Sequence, residues 1–260
     1  MPARSFQKKF IITADDFGAS PSVNRAVIKA HREGILTHAS LMVDRAGAPE
    51  AVRLAKENSG LGVGLHVELC SENPGAWGRR YFFSQEHRRR IEPEIRRQIE
   101  KFMDLGLKPT HIDSHFHIHV HPVIFPILAR LAREYKIPRT RLPGGECWLS
   151  LRYSRENAFS RSGLAAVFSL LKLALKPSAG GLEVPRRCYG LLRSGLMKKD
   201  YLEWLIRQAP AGAAEIYLHP CDDAAARIED KPTETHYSID ELEALLDGGV
   251  RRAAEEFKQG

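Results

Sequence analysis

Short apolar runs alternating with helical patterns constrain this chain more than anything else in its sequence. Phe10-Ile11-Ile12-Thr13-Ala14 reads as a buried strand, and Ser20-Pro21 then supplies an N-cap and a proline for the first helical position. Val23, Ala26, Val27 and Ala30 follow at helical spacing, and Gly34 sits where a C-cap glycine belongs. The same reading puts strands over 35–43 and 61–69, with a helix over 49–58 between them. Ile95, Ile99, Phe102 and Met103 mark a helix that stops near Gly106, and Lys108-Pro-Thr-His-Ile-Asp leads into another strand. Ile124, Ile127, Leu128 and Leu131 line the helix after it, and short strands recur over 139–142 and 214–218. About seven strand–helix units at this length predict an α/β fold, a distorted or incomplete (β/α) TIM-like barrel in one domain spanning 1–260.

Composition removes several classes. A chain of 260 residues with 43% hydrophobic and 27% charged residues excludes disorder and collagen-like structure. The 39 Lys+Arg against 32 Asp+Glu leave a net charge of +7. That excess suits nucleic acid, an anionic membrane surface or an acidic substrate, and alone it does not choose. Cys70, Cys147, Cys188 and Cys221 form no C-x-x-C pair, which argues against a zinc ribbon or disulfide framework and suits a reducing compartment. The basic N-terminus has only Phe10-Ile11-Ile12 as an apolar run, too short for a secretory signal, so the expectation is a mature start and a cytoplasmic protein. Contact with the inner face of the membrane stays open.

Two segments interrupt the alternation. Residues 77–97 carry Arg79, Arg80, Arg88, Arg89, Arg90, Arg96 and Arg97, diluted by Glu86, Glu92 and Glu94, which reads as a solvated helix face. Residues 144–190 read as an inserted or lid-like segment. They contain an apolar stretch over 162–176, flanked by Arg161, Lys172 and Lys176. Its ordinary reading is a helix buried against the barrel, and the alternative is a lid or lipid-facing surface.

The chemistry-bearing residues fall into four groups. Asp15-Asp16, at the end of the first buried strand, need a cation or hydrogen-bond donors. His66 lies inside a strand pattern. Five histidines, His111, His115, His117, His119 and His121, share odd parity with Asp113 and would face one side of an extended strand. Same-face neighbours in a strand stand about 6–7 Å apart, so one of them would ligate a metal while the others orient it or face substrate. His219 follows the last apolar strand and suits acid–base work near neutral pH. Aspartate and histidine ligands without cysteine describe an open N/O site for a divalent metal, and hence metal-assisted hydrolysis, with one aspartate as ligand and the other as base.

Taken together, TADDFGASPSVN, GLHVEL, HIDSHFHIHVHP and the late YLHP resemble, in order and over nearly the whole chain, the YdjC-like carbohydrate deacetylases. The resemblance implies a distorted barrel, often dimeric, that removes N-acetyl groups from amino sugars with a divalent metal. It further implies Asp16, His66 and His115 as metal ligands, Asp15 as general base and His219 as the acid that protonates the departing amine. The arginine-rich segment from Tyr81 to Arg97, the stretch from Tyr189 to Met197 and Glu215-Ile-Tyr-Leu-His219-Pro220 look most like the hopanoid-biosynthesis-associated branch. That likeness implies an N-acetylglucosaminyl hopanoid as substrate, with chitooligosaccharide deacetylation as the alternative within the family. Mg²⁺ is the metal the resemblance implies, and the ligand types also suit Zn²⁺. A nucleic-acid-binding protein would need a docking motif or an aromatic stacking platform, and the sequence shows neither. An amidohydrolase would carry its His-x-His pair on the first strand, where this chain has Asp15-Asp16.

Overall fold

A computed structural model describes residues 10–70, 73–210, 212–223 and 237–259. The N-terminal residues 1–9, on which part of the leader reading rests, lie outside them. The chain runs β1 (Phe10–Phe17), α1 (Pro21–Glu33), β2 (His38–Leu41), α2 (Ala48–Glu57), β3 (Gly62–Val67), α3 (Pro74–Phe83), α4 (Gln85–Asp104) and β4 (Ile112–Ser114). A 3₁₀ stretch (His115–Val120) leads to α5 (Ile124–Glu134), α6 (Cys147–Tyr153), α7 (Ala158–Ala179) and β5 (Arg187–Tyr189). Then come α8 (Lys199–Gln208), β6 (Ala214–Leu218), α9 (Ile239–Leu246) and α10 (Gly248–Gln259).

The six strands form one sheet in the order β4-β3-β2-β1-β6-β5, and every pair is parallel. Apolar side chains on one face of β1 and β6, among them Phe10, Ile12, Ile216 and Leu218, are buried under helices, while the opposite face carries the buried Thr13, Asp15, Glu215 and Tyr217. Parallel strands align their C-terminal ends, so the residues that end β1, β3, β4 and β6 meet on one side of the sheet.

Several expectations are sharpened. Ser20 caps α1, its Oγ accepting the Val23 N–H at 3.3 Å, with Pro21 in the first turn. Gly34 ends α1, but at φ −121° it is not left-handed. Glycine is required there by crowding, since a Cβ would come within 2.4 Å of the Leu245 carbonyl oxygen. The expected strand over 139–142 exists only as isolated bridges, Ile112 with Thr140 and Arg139 with Glu183. Pro138 and Pro143 bracket this short run and deny it two ladder donors. The run lies in the gap between β4 and β5, so the sheet is a curled, incomplete barrel.

The histidine-rich strand expected through residue 121 stops at Ser114. Beyond it Phe116 (φ 54°, ψ 16°) and His117 (φ 51°, ψ 28°) turn left-handed, and the chain coils. The arginine-rich segment is the solvated helix face that was expected: in α4, Arg90 pairs with Glu86, Arg96 with Glu134 and Arg97 with Asp44. The apolar stretch of 162–176 lies within α7, which is not the buried helix of the ordinary reading. Arg161, Ala165, Leu175 and Ala179 face the protein, while Phe159, Val167, Leu170 and Leu173 are exposed.

Candidate metal centre and its cavity

Adjacent residues of a regular strand point to opposite faces, yet Asp15 and Asp16 both line one cavity. A register irregularity explains this. Ala14 pairs with Ala39 and Phe17 with Leu41, so three steps of β1 oppose two of β2. Asp16 takes the left-handed conformation at φ 63°, which aspartate tolerates better than most residues. The bulge therefore aims two neighbouring carboxylates into the same space.

The Asp16 Oδ1 atom lies 2.9 Å from His115 Nδ1 and 3.1 Å from His66 Nε2. His66 projects from β3, and its other nitrogen, Nδ1, is held by Asp113 Oδ1 at 2.6 Å. That second contact fixes the imidazole and leaves Nε2 facing Asp16. Ligand atoms of Asp16, His66 and His115 lie within 4.8 Å of one another, and all three residues are buried. Burial alone would raise the Asp16 carboxyl, but hydrogen bonds with His115 and His66 hold it well below the usual carboxylate range. Its Oδ2 is buried and meets no hydrogen-bond partner among the described residues. An ionised, half-partnered carboxylate beside two imidazole nitrogens is a donor set that fits a divalent cation.

A second group, Asp15, His66 and Asp113, is equally compact. Its carboxylates are already engaged, which argues against it as the cation site. Arg141 Nη1 and Nη2 donate to the two oxygens of Asp15 at 2.6 and 2.8 Å. The same guanidinium lies 3.0 Å from Asp113 Oδ2 and donates from Nε to Glu215 Oε1 at 3.0 Å. Burial works against the Arg141 charge, but Asp15, Glu215 and Asp113 outweigh it and hold the guanidinium firmly protonated.

His219 directly follows β6 and borders the same cavity. Its Nδ1 lies 3.4 Å from Ser194 Oγ, and its backbone N–H donates to Glu241 Oε2 at 2.6 Å. The cavity, about 240 Å³, thus gathers all five predicted site residues, with Leu164 and Phe168 of α7 on its wall. A larger cleft of about 530 Å³ lies along α3 and α4 beside Trp77 and Tyr81, and it contains no compact metal-ligand group among the described residues.

The remaining histidines do not share one strand face, because the strand ends at Ser114, and the spacing of an extended strand does not apply to them. His117 borders the cavity, with its ring 4.8 Å from that of Tyr217. His119 donates from Nε2 to the Arg141 carbonyl (2.8 Å) and holds Ser114 Oγ at 2.7 Å through Nδ1. His111 packs against Gly64, where a Cβ would come within 2.4 Å of the ring, and burial holds it neutral. Residue-by-residue reading missed Arg141, Asp113 and Glu241 as supports of the site. Asp113 shared the parity of the histidines, and Arg141 stood in a predicted strand; those were the only signals.

The family model for YdjC-like proteins matches residues 9–256. The chain belongs to the YdjC-like family. A carbohydrate deacetylase of Brevibacillus brevis is 45% identical over 143 residues, covering 50% of this chain and 58% of that protein. One from Geobacillus stearothermophilus is 41% identical over 140 residues, covering 49% and 57%. The matched stretch therefore spans little more than half the length of these relatives. A crystal structure from Enterococcus faecalis, described as that of a candidate cellobiose-phosphate cleavage protein, superposes with a TM-score of 0.67. It shares 22% identity and covers 96% of this chain and 95% of its own, which establishes likeness of fold.

Proposed function

We propose that this YdjC-like chain is a metal-dependent carbohydrate N-deacetylase that hydrolyses the acetamide of an N-acetylglucosamine-bearing substrate. The observation that carries this reading is the convergence of Asp15, Asp16, His66, His115 and His219 on one cavity, with Asp15 clamped by Arg141. The activity named for the Brevibacillus and Geobacillus relatives supports it.

Asp16, His66 and His115 would hold the cation. When bound, it supplies Lewis acidity, polarising the acetyl carbonyl and acidifying water; two imidazoles and a carboxylate suit Zn²⁺ at least as well as the Mg²⁺ implied by resemblance. Asp15 accepts one proton from the attacking water as the new C–O bond forms. Arg141 is a positioning residue, fixing the plane of that carboxylate by a bidentate grip. As the C–N bond breaks, His219 gives its proton to the amine nitrogen, leaving acetate and the free amino sugar. Glu241 and Ser194 hold His219 at the cavity edge from its backbone and its ring.

The acceptor we propose is a lipid, an N-acetylglucosaminyl hopanoid as the resemblance implies, because apolar Leu164 and Phe168 of the inserted segment and Leu191 just after it form part of the cavity wall. Acetate release measured side by side on this glycolipid and on diacetylchitobiose tests both levels. Expected are a faster reaction on the glycolipid, loss with chelator and recovery with added divalent ion. In Asp15→Asn, turnover should drop about 10²–10⁴-fold while bound metal stays at wild-type stoichiometry. Full activity in that variant removes the base role, and preference for chitobiose removes the lipid acceptor but leaves the reaction.

A further inference from the structure

Helix α7 is apolar on two sides, and only one of them is covered. Phe159, Gly163, Ala166, Val167, Leu170, Leu173, Ala174 and Pro177 recur at steps of three and four residues and are all exposed. No charged residue interrupts this stripe. Phe159 is 94% exposed, Leu170 67% and Leu173 73%, in a soluble-facing position where such side chains are ordinarily buried. The opposite side is fastened to the body of the protein. Leu175 and Ala179 pack with Phe125 and Ala129 of α5, and Lys172 Nζ donates to the Leu142, Pro185 and Arg186 carbonyls at 3.0–3.1 Å. The helix is long and apolar enough to cross a bilayer by length and composition, but crossing would break these bonds and strip its packed side.

Charge selects the occupant. Between Arg130 and Arg207 the chain carries sixteen Lys and Arg against six Asp and Glu, and all but Arg139, Arg141, Arg161 and Arg193 reach the surface. In α4, Arg90, Arg96 and Arg97 are matched by acidic neighbours. Around α7 the balance differs: Arg155 just before it, Lys176 on its last turns and Arg186 beside Lys172 are exposed, and among the described residues no acidic group pairs with them. A second copy of this chain would bring like charges together, whereas anionic lipid headgroups would neutralise them. Leu164 lies at the junction, partly exposed and on the cavity wall at once.

We infer that the exposed stripe of α7 lies in the plane of an anionic membrane surface, inserting its apolar side chains between headgroups while Arg155, Lys176 and Arg186 contact lipid phosphates. The cavity mouth then opens beside the bilayer. This inference concerns where the protein sits and is independent of the reaction proposed above.

Co-sedimentation of the full chain with vesicles tests it, using phosphatidylcholine alone and phosphatidylcholine with about 30% phosphatidylglycerol. Expected is binding to the anionic vesicles that weakens at least about tenfold in a Leu170→Glu/Leu173→Glu variant and is reduced by raising the salt. Both positions are exposed, so the thermal melt of the variant should match the wild type and separate lost docking from lost folding. A Lys176→Glu/Arg186→Glu variant should lose the salt-sensitive part while keeping the melt. Absence of vesicle binding, or binding indifferent to the leucine variant, overturns the inference. So does a concentration-dependent dimer, seen by sedimentation velocity, that the leucine variant dissolves without any vesicle binding. A failed acetate assay leaves the vesicle result unaffected, and the reverse also holds.

Discussion

Glu146 is a buried carboxylate outside the proposed chemistry, with Oε2 and Oε1 accepting the N–H groups of Gly190 and Leu192 at 3.1 Å each. Burial pushes it up to about 7 from an ordinary value of 4.5, and the backbone donors only partly offset that. The folded chain therefore holds this proton more tightly than the unfolded chain. The resulting stabilisation is complete below pH 4.5 and is lost as pH rises through 7. A shift of this size is worth ~3 kcal/mol at most. Glu146→Gln removes the titration, so the stability difference between wild type and variant should shift against the wild type from pH 5 to pH 8. Parallel pH profiles from thermal melts would refute it. At this same scale the sequence was informative about chemistry and silent about support. Asp15 and Asp16 declared themselves by residue type at a strand end, while His66 inside a strand pattern and His219 after the last strand gained weight only in company; the structure gathers all four on one cavity. Arg141 did not, because an arginine in a short run between prolines looks like any surface cation until Asp15, Asp113 and Glu215 are brought around it in space.

Among the elements, α1, α2 and β6 were legible from periodicity and caps, whereas two local distortions were not. The bulge in β1 and the left-handed turn at Phe116–His117 are set by where the chain must go next, and neither position carries the glycine that would have announced a positive φ. This is why parity alone could not single out His115: the strand on which parity depends ends one residue before it. The end of α5 shows the same conflict in a form that can be tested. The Ile137 N–H reaches the Ala132 carbonyl at 2.7 Å and the Lys136 N–H reaches that of Arg133 at 3.1 Å, the paired bonds of a Schellman cap. Lys136 occupies the left-handed position at φ 58°, where an L side chain is strained and glycine is favoured. Lys136→Gly should therefore raise stability by about 0.5–1 kcal/mol despite the greater freedom it gives the unfolded chain. Differential scanning calorimetry would show this as a melting temperature higher by roughly 1–4 °C. A lower melting temperature would mean that the Lys136 side chain contributes more than its backbone strain removes.

At the scale of the whole molecule, the candidate cation site is a product of topology. Asp16 lies near the C-terminal end of β1, His66 lies on β3 and His115 follows β4, 99 positions along the chain from Asp16. Only the parallel order of the sheet brings the three together, so an unfolded chain offers no comparable site, and a cation that binds here stabilises the native state by mass action. The donor atoms come from three segments of one sheet, so local unfolding of any one of them would disperse the site. At free metal about one hundredfold above its dissociation constant the stabilisation is ~2.7 kcal/mol. For a chain of this length that corresponds to a melting temperature higher by roughly 5–10 °C. Chelation should remove the increment, and restoring Zn²⁺ or Mg²⁺ should return it, the more effective ion being the better ligand match. Asp16→Ala should melt at the same temperature with and without chelator, because the variant has lost the carboxylate that joins the two imidazoles. A wild-type melt that ignores chelator while metal analysis shows the ion has left would separate binding from folding, and would place the ion elsewhere than between Asp16, His66 and His115.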